Sequence, residues 1–316
     1  MTAKVFIDGE AGTTGLQLRQ RLSARRDIEL LHLSDADRKD SARRGEMLNT
    51  ADVSILCLPD AAAREAVLMV ENPASRVIDA STAHRIAEGW AYGFAEMSRA
   101  QADVIAAARF VANPGCYPQG PIATLRPLIE AGLLPADFAV TVNAVSGYSG
   151  GGRQMIEAYE ADAAAASHYA PYALGFSHKH LPEMRRYAEL ARDPLFQPAV
   201  INVRQGMATF VPLQLGTLDR VPTGAQLHAA IADYFAGISG GFVDVAPLEA
   251  IEKSAQLDPT RHNDTNRMTL HVFANDSRAQ ALLVAIYDNL GKGASGAAVQ
   301  NLNLMLGVDA ATSLAA

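Results

Sequence analysis

Cys116 stands in the run Val-Ala-Asn-Pro-Gly-Cys-Tyr-Pro-Gln-Gly, where Pro114 and Gly115 force a turn as a strand pattern hands over to a helical one. A thiol at a helix N-terminus meets the positive end of the dipole and unpaired N–H groups, which lower its pKa and raise its nucleophilicity. The same N–H groups suit the oxyanion formed when a thiolate adds to a carbonyl. Cys116 is therefore the candidate nucleophile, whereas Cys57, inside Val-Ser-Ile-Leu-Cys-Leu-Pro, reads as a core residue. A thiolate nucleophile needs a group that manages protons, and Ser-His-Lys-His-Leu-Pro-Glu at 177–183 offers one. On an extended segment, alternation puts the imidazoles of His178 and His180 on one face and Lys179 on the other. One ring would then act as general acid or base and the other would bind an anion. Glu183 orients a ring or opens a helix. His-x-His is also a metal-ligand spacing, but no third ligand lies nearby, so no metal is expected. His32, His84, His168, His228, His262 and His271 read as structural or surface residues.

Gly9, Gly12 and Gly15 form G-x-x-G-x-x-G between the strand pattern Lys-Val-Phe-Ile-Asp and a helical pattern starting near Thr14. Missing side chains let a backbone approach a diphosphate, and a new helix presents free N–H groups to it. The spacing departs from G-x-G-x-x-G, and an ordinary tight turn is the alternative. Thr13 and Thr14 join the glycines in the expected cofactor set. At the end of the second strand an acidic residue would hold a free ribose 2′-hydroxyl and repel a 2′-phosphate. Here Ser34 can hydrogen-bond a phosphate, and Arg38 and Lys39 can neutralise it; Asp35 argues the other way, and the balance favours NADP. Later strand ends supply Leu58-Pro59-Asp60 and Asp79-Ala80-Ser81-Thr82, so Pro59 and Ser81 are expected beside the middle of the cofactor and its nicotinamide. Asp60 equally suits a helix cap.

Anionic substrates need cations. Arg85, after Asp-Ala-Ser-Thr-Ala-His, and Arg153, after the loop Ser146-Gly147-Tyr148-Ser149-Gly150-Gly151-Gly152, are the candidate clamps for carboxylate or phosphate. Asn113 and Ser146 are taken as further substrate contacts. The glycine loop, Gly147 included, offers backbone N–H groups to substrate or nicotinamide.

These residues need elements to hold them. Over the first 110 or so residues, strand-like runs with continuous apolar character alternate with helical stretches, the mark of a parallel sheet covered on both faces. Beyond residue 113 the texture changes to a helix from about Gly120 to Ala131, several longer strand-like runs and an Ala-rich helical stretch, which suggests an α+β domain on a mixed sheet. The segment from Ala281 to Gly307 reads as helical spacing broken by glycines and is expected to pack back on the first domain. The expected organisation is α/β: a Rossmann-type doubly wound parallel sheet over residues 1–113 plus 288–316, with a second α+β domain over 114–287.

A chain of 316 residues suits two domains. Hydrophobic residues make up 49% and charged ones 19%, too little charge for a chain kept unfolded by self-repulsion. A net charge of −7 has the wrong sign for a nucleic-acid surface. Two cysteines in unlike settings exclude a disulfide framework. Neither a leader pattern nor a run of about 18 apolar residues is present, so neither nucleic acid nor membrane is an expected partner and the expected compartment is the cytoplasm.

A dinucleotide turn, an activated thiol and a histidine together point to thiolate addition to an activated acyl group followed by hydride delivery to the thioester. The chain resembles the N-acetyl-γ-glutamyl-phosphate reductase family, the arginine-pathway member of the aspartate-semialdehyde and glyceraldehyde-phosphate dehydrogenase group. The resemblance is carried by IDGEAGTTG at 7–15, DAST at 79–82, NPGCYPQG at 113–120, SGYSGGGR at 146–153, HKHLPE at 178–183 and DNLGKGASGAAVQN at 288–301. The chain is similar to the shorter of two length variants of that family, with several loops trimmed. The resemblance implies NADP, Cys116 as nucleophile assisted by His178 or His180, an acyl phosphate substrate, and a homodimer or homotetramer assembled through the second domain. It also implies that Asn289 and the glycines after it return to the cofactor. Other readings are an aspartyl-phosphate reductase, a cysteine hydrolase that needs no dinucleotide, and a non-catalytic NADP-binding redox sensor.

Overall fold

Consecutive rather than alternating apolar residues mark a strand buried on both faces. Strand β1 (Ala3–Asp8) is built that way: Val5 and Ile7 enter one apolar core and Phe6 enters another. The computed structural model describes residues 2–34, 36–162, 166–238, 240–248 and 257–315. The chain divides into two units. One comprises the chain up to Ala95, Ala100–Gly115 and Ala294–Ala315; the other comprises Glu96–Arg99 and Cys116–Gly293.

In the first unit β1 is followed by α1 (Thr13–Leu22), β2 (Ile28–Leu31), α2 (Ser41–Thr50), β3 (Val53–Leu56), α3 (Asp60–Leu68), β4 (Arg76–Asp79), β5 (Ala91–Tyr92), α4 (Gln101–Ala107) and β6 (Phe110–Ala112). The six strands form an all-parallel sheet in the order β2-β1-β3-β4-β6-β5. One core gathers Leu18 and Leu22 of α1 and Ile105 of α4; the other gathers Leu48 of α2 with Ala63 and Ala66 of α3. Helices therefore cover both faces, and the strand order reverses between β1 and β3, where the carboxyl ends of such sheets leave a ligand crevice.

The second unit runs α5 (Gln119–Glu130), β7 (Thr141–Gly147), α6 (Gly152–Ala161), β8 (Tyr169–Pro171), α7 (Leu181–Tyr187), β9 (Leu195–Ile201), β10 (Met207–Gln214), α8 (Gly224–Ala236), β11 (Val243–Val245), β12 (Met268–Asn275) and β13 (Gln280–Tyr287). Its seven strands form a mixed sheet in the order β11-β12-β13-β10-β7-β9-β8. Helix α5 packs on β13 and β10, and α8 on β12. On this sheet Val145, Phe210, Phe273 and Leu282 remain only partly buried around Ala208, Val284 and Ile286.

The last helix, α9 (Gly296–Leu306), belongs to the first unit, where Val299 and Leu302 join the core of α1 and α4. The reading of residues 281–307 as one interrupted helix is corrected here. Residues 281–287 lie in β13, paired on one side with β10 and on the other with β12. A short unbroken apolar run does not by itself distinguish a buried strand from a buried helix; two neighbouring strands decide it. Among the described residues no helix is long and apolar enough to cross a membrane, and no group of three or more His, Cys, Asp or Glu could hold a metal ion.

Candidate active site

In the first unit the glycine turn joins β1 to α1 at the point where the strand order reverses. Gly9 has φ +90°, and a Cβ there would lie 2.4 Å from the Cys57 carbonyl oxygen after β3. A Cβ on Gly15 would lie 2.5 Å from the Gly9 carbonyl oxygen and 2.6 Å from Glu10 Cα. Both positions are closed to any side chain, because the obstructing atoms are backbone. Gly12 caps α1 without a side-chain hydrogen bond, and the first turn, which holds Thr13 and Thr14, contains no acidic residue. The turn and the helix start thus leave uncapped N–H groups and a compact backbone, which is the cradle a diphosphate needs.

A cleft of about 430 Å³ opens beside this turn, lined among others by Gly9, Arg19, Arg38, Lys39, Arg44 and Leu58. Its cations exceed its carboxylates, Asp8 and Glu10. Asp8 is held by Arg44, whose Nη2 lies 2.7 Å from Oδ2, so the carboxylate at the end of β1 is neutralised from α2. Ser34 donates to Asp37 Oδ2 at 2.7 Å and is already engaged. Asp35 lies outside the described residues. The residues present fit the diphosphate of a dinucleotide at the glycine turn.

At later strand ends, Pro59 caps α3 and Asp60 accepts from the Thr82 N–H at 2.9 Å. Asp60 therefore ties two loops together. Ser81 donates its hydroxyl to Asp79 at 2.7 Å, and His84 Nδ1 lies 2.6 Å from the same carboxylate, its ring stacked on Trp90 at 4.1 Å. The candidate clamp Arg85 is 8% exposed. Its Nε donates to the Asn113 carbonyl at 3.0 Å and its Nη2 to the Ala80 carbonyl at 3.1 Å. Asn113 itself is 1% exposed, and its side-chain N–H donates to the Ala294 carbonyl at 3.0 Å. Both residues, read from the sequence as substrate contacts, make hydrogen bonds within this unit: Arg85 to two backbone carbonyls, Asn113 to the Ala294 carbonyl and to the Asn301 side chain.

In the second unit Cys116 occupies the turn just ahead of α5, whose N-cap, Pro118, makes no side-chain hydrogen bond and whose first turn has no acidic residue. The thiol is not in a disulfide and is only partly buried. A Cβ on Gly293 would lie 3.0 Å from Cys116 Cβ, so the chain after β13 passes directly against the cysteine. Tyr287 donates its hydroxyl to the Cys116 carbonyl at 2.7 Å and fixes the turn from behind.

The ring of Tyr117 lies 6.1 Å from His178 and 6.0 Å from His180, and the two imidazoles are 4.7 Å apart. The segment is not extended: the backbone is a turn, with Leu181 N–H donating to the His178 carbonyl and His180 capping α7. Pro182 at the helix start enforces that turn. The rings still face common neighbours. His178 Nδ1 accepts the His180 N–H at 3.1 Å, and His180 Nε2 lies 3.9 Å from the buried Glu183 carboxylate. Glu183 thus both faces an imidazole and occupies the first turn of α7.

Ser146 is buried and donates to the Gly147 carbonyl at 3.1 Å. The glycine loop does not offer its early N–H groups to a ligand: those of Gly147, Tyr148 and Ser149 donate to carbonyls of Gly206, Val203 and Arg204. Asn289 is likewise engaged at both ends of its amide, donating to Ser149 Oγ at 3.0 Å and accepting from Gly206 N–H at 2.9 Å. Arg153 is 76% exposed and paired with Glu157 one helical turn on.

Tyr172 escaped the reading of the residues. Its ring sits 5.8 Å from His178. Its phenol is pushed up to about 12, first by burial and further by the charge Cys116 would carry as a thiolate. A tyrosine that stays neutral brings no negative charge to oppose a thiolate. Its place in an exposed, aromatic stretch gave no signal of this.

A sequence model described as semialdehyde dehydrogenase, dimerisation domain, matches residues 116–289. The chain is 67% identical over 306 residues to the N-acetyl-γ-glutamyl-phosphate reductase of Chelativorans sp., covering 97% of this chain and 99% of that protein. It is 64% identical to the protein of that name from Mesorhizobium japonicum, covering 98% of this chain and 100% of that one. Among solved structures, the aspartate semialdehyde dehydrogenase II of Vibrio cholerae, complexed with ASA, superimposes with a TM-score of 0.69 at 14% identity, covering 97% and 98% of the two chains. The aspartate semialdehyde dehydrogenase of Candida albicans, solved with NADP, gives 0.66 at 15%, covering 98% and 99%. These two likenesses concern the fold.

Proposed function

Since the chain belongs to the N-acetyl-γ-glutamyl-phosphate reductase family, we propose that it catalyses the NADPH-dependent reduction of N-acetyl-γ-glutamyl phosphate to N-acetyl-glutamate semialdehyde, releasing phosphate. The observation that carries this reading is the partly exposed thiol of Cys116 ahead of the start of α5, whose first turn holds no acidic residue, in a chain that also holds a glycine cradle closed to side chains.

Cys116 adds to the acyl carbon; the C–S bond forms, the bond to the phosphate oxygen breaks, and a thioester remains on the protein. The helix start holds the oxyanion of that addition. When bound, the reduced nicotinamide supplies hydride. One imidazole of the His178–His180 pair gives the proton the oxyanion needs and takes it back as the C–S bond breaks to aldehyde and thiolate. Glu183 holds His180 in orientation, and Tyr172, kept neutral, packs against the His178 ring.

NADP rather than NAD is supported by the cation-rich cleft with Arg38 and Lys39 in its lining. A homo-oligomer is supported by the dimerisation description of the matched family and by the partly buried apolar residues on the seven-stranded sheet. The decisive experiment follows NADPH oxidation by purified protein offered N-acetyl-γ-glutamyl phosphate, with NADH and aspartyl phosphate as alternatives. The expected result is turnover with the first pair and at least about a thousandfold loss of kcat in Cys116→Ser. Near-normal turnover by that variant would exclude the covalent route.

A further inference from the structure

The turn that delivers Cys116 begins at Asn113, and every polar group of Asn113 has a partner in the first unit. Its N–H donates to the Asp79 carbonyl at 2.8 Å and its carbonyl accepts from Arg85 Nε at 3.0 Å. Its side-chain N–H donates to Ala294, and its Oδ1 accepts from Asn301 Nδ2 at 3.0 Å. Asn301, on α9, is 0% exposed. It fits because residue 93 is glycine: a Cβ there would lie 2.3 Å from Asn301 Nδ2.

Asn301 Oδ1 is buried without a hydrogen-bond partner. An orphaned buried carbonyl costs about 1–3 kcal/mol, so this amide is a poor device for stability alone. What it does supply is direction. Because Asn113 must give its N–H to Ala294, only its Oδ1 is left for Asn301, and the two amides lock in one sense. Two backbone and two side-chain hydrogen bonds then hold the third residue before the thiol from four sides.

We propose that Asn301, acting through Asn113, is a positioning residue for the reaction, holding the Pro114-Gly115-Cys116 turn in the geometry that presents the sulfur ahead of α5. The inference rests on the reductase reading only for its kinetic arm. Asn301 touches neither substrate nor thiol. Loss of its hydrogen bond leaves substrate groups in place and lets the turn relax, which lowers kcat, leaves KM nearly constant and moves Sγ away from the N–H groups that favour the thiolate.

The test uses Asn301→Leu, close in shape and free of the orphaned carbonyl, and Gly93→Ala, which displaces the Asn301 amide without altering either asparagine. Alkylation of Cys116 by iodoacetamide, followed by peptide mass spectrometry across a pH series, needs no substrate. Expected in both variants are an alkylation rate at neutral pH at least about tenfold lower with its inflection moved upward, a similar fall in kcat, and KM within about threefold. In Asn301→Leu the Tm should stay near that of the parent. Unchanged alkylation curves in both variants overturn the inference whatever the activity. So does a loss of kcat that comes with a matching rise in KM. A parent protein without reductase turnover but with the expected alkylation shifts would overturn the functional reading and leave the positioning role standing.

Discussion

The two cysteines illustrate how position alone separates one thiol's chemistry from another's. Cys116 is partly exposed in a turn ahead of a helix. Cys57 packs against the core of β1 and β3, with its carbonyl against Gly9, and its thiol is pushed up to about 12 by burial and then by the charges of Asp79 and Asp8. Cys57 is inert at neutral pH and suits packing rather than chemistry. It also sets an alkaline limit. The folded chain keeps this proton up to about pH 12, whereas an unfolded thiol releases it near 9.0. Stability is therefore complete below about 9 and falls as pH rises through 12. Urea titrations across that window should show the decline, and Cys57→Ala should delay its onset to the range where Tyr172 and Tyr187, also pushed up to about 12 by burial, take over. A decline of unchanged onset in that variant would refute the assignment.

At the level of elements, the segment following β13 does the most positioning. Lys292 and Glu96 form an ion pair at 2.6 Å with both side chains 1% exposed. The Lys292 carbonyl accepts from Gln119 in α5 at 2.7 Å, and Gly293 lies against Cys116. The neighbouring Asp288 accepts from the N–H groups of Leu290 and Asp264. A buried pair contributes little net stability relative to apolar residues, but removing one member strands the other charge. Lys292→Met should cost about 3–5 kcal/mol in a denaturant titration, and adding Glu96→Gln should restore most of it, since the amide oxygen still accepts the Phe242 N–H that Oε1 now takes at 2.9 Å. If the double variant is no more stable than the single one, the ion pair is not what that site depends on. Neither residue stood out in the sequence: Lys292 lies inside a glycine-rich run and Glu96 is 196 residues away.

For the molecule as a whole, the proposed reading divides the labour between the two units. The unit built on the parallel sheet has the glycine turn and a cation-rich cleft; the unit built on the mixed sheet has Cys116 and the two imidazoles in turns ahead of α5 and α7. The mixed sheet also leaves Phe210, Phe273 and Leu282 partly exposed, and apolar surface of that kind marks an association face. Phe210→Glu should lower the mass measured by light scattering, with the fold preserved by circular dichroism. An unchanged mass would place assembly elsewhere. Much of this architecture was legible in advance: buried strands alternating with helices, a helix read from about 120 to 131 and found over 119–130, and a mixed second sheet. What misled was the run 281–287, whose apolar pattern fits two structures, and the glycine loop, whose N–H groups looked available until β10 and the turn before it came into view.

The amino-acid order by itself determined what lies within a few bonds: the glycines that only a tight strand-to-helix turn accepts, the Pro-Gly turn before a thiol, the proline that starts α7 beside two histidines. Local sterics and backbone dihedrals govern these features, and neighbours in the chain suffice to set them. Tertiary structure decided which polar groups are available to a ligand. Arg85, Asn113 and Asn289 each have the chemistry to bind one, and tertiary structure also gives each of them hydrogen-bond partners within the protein at about 3 Å. For Asn113 one such partner lies 188 residues away, beyond the reach of any local pattern.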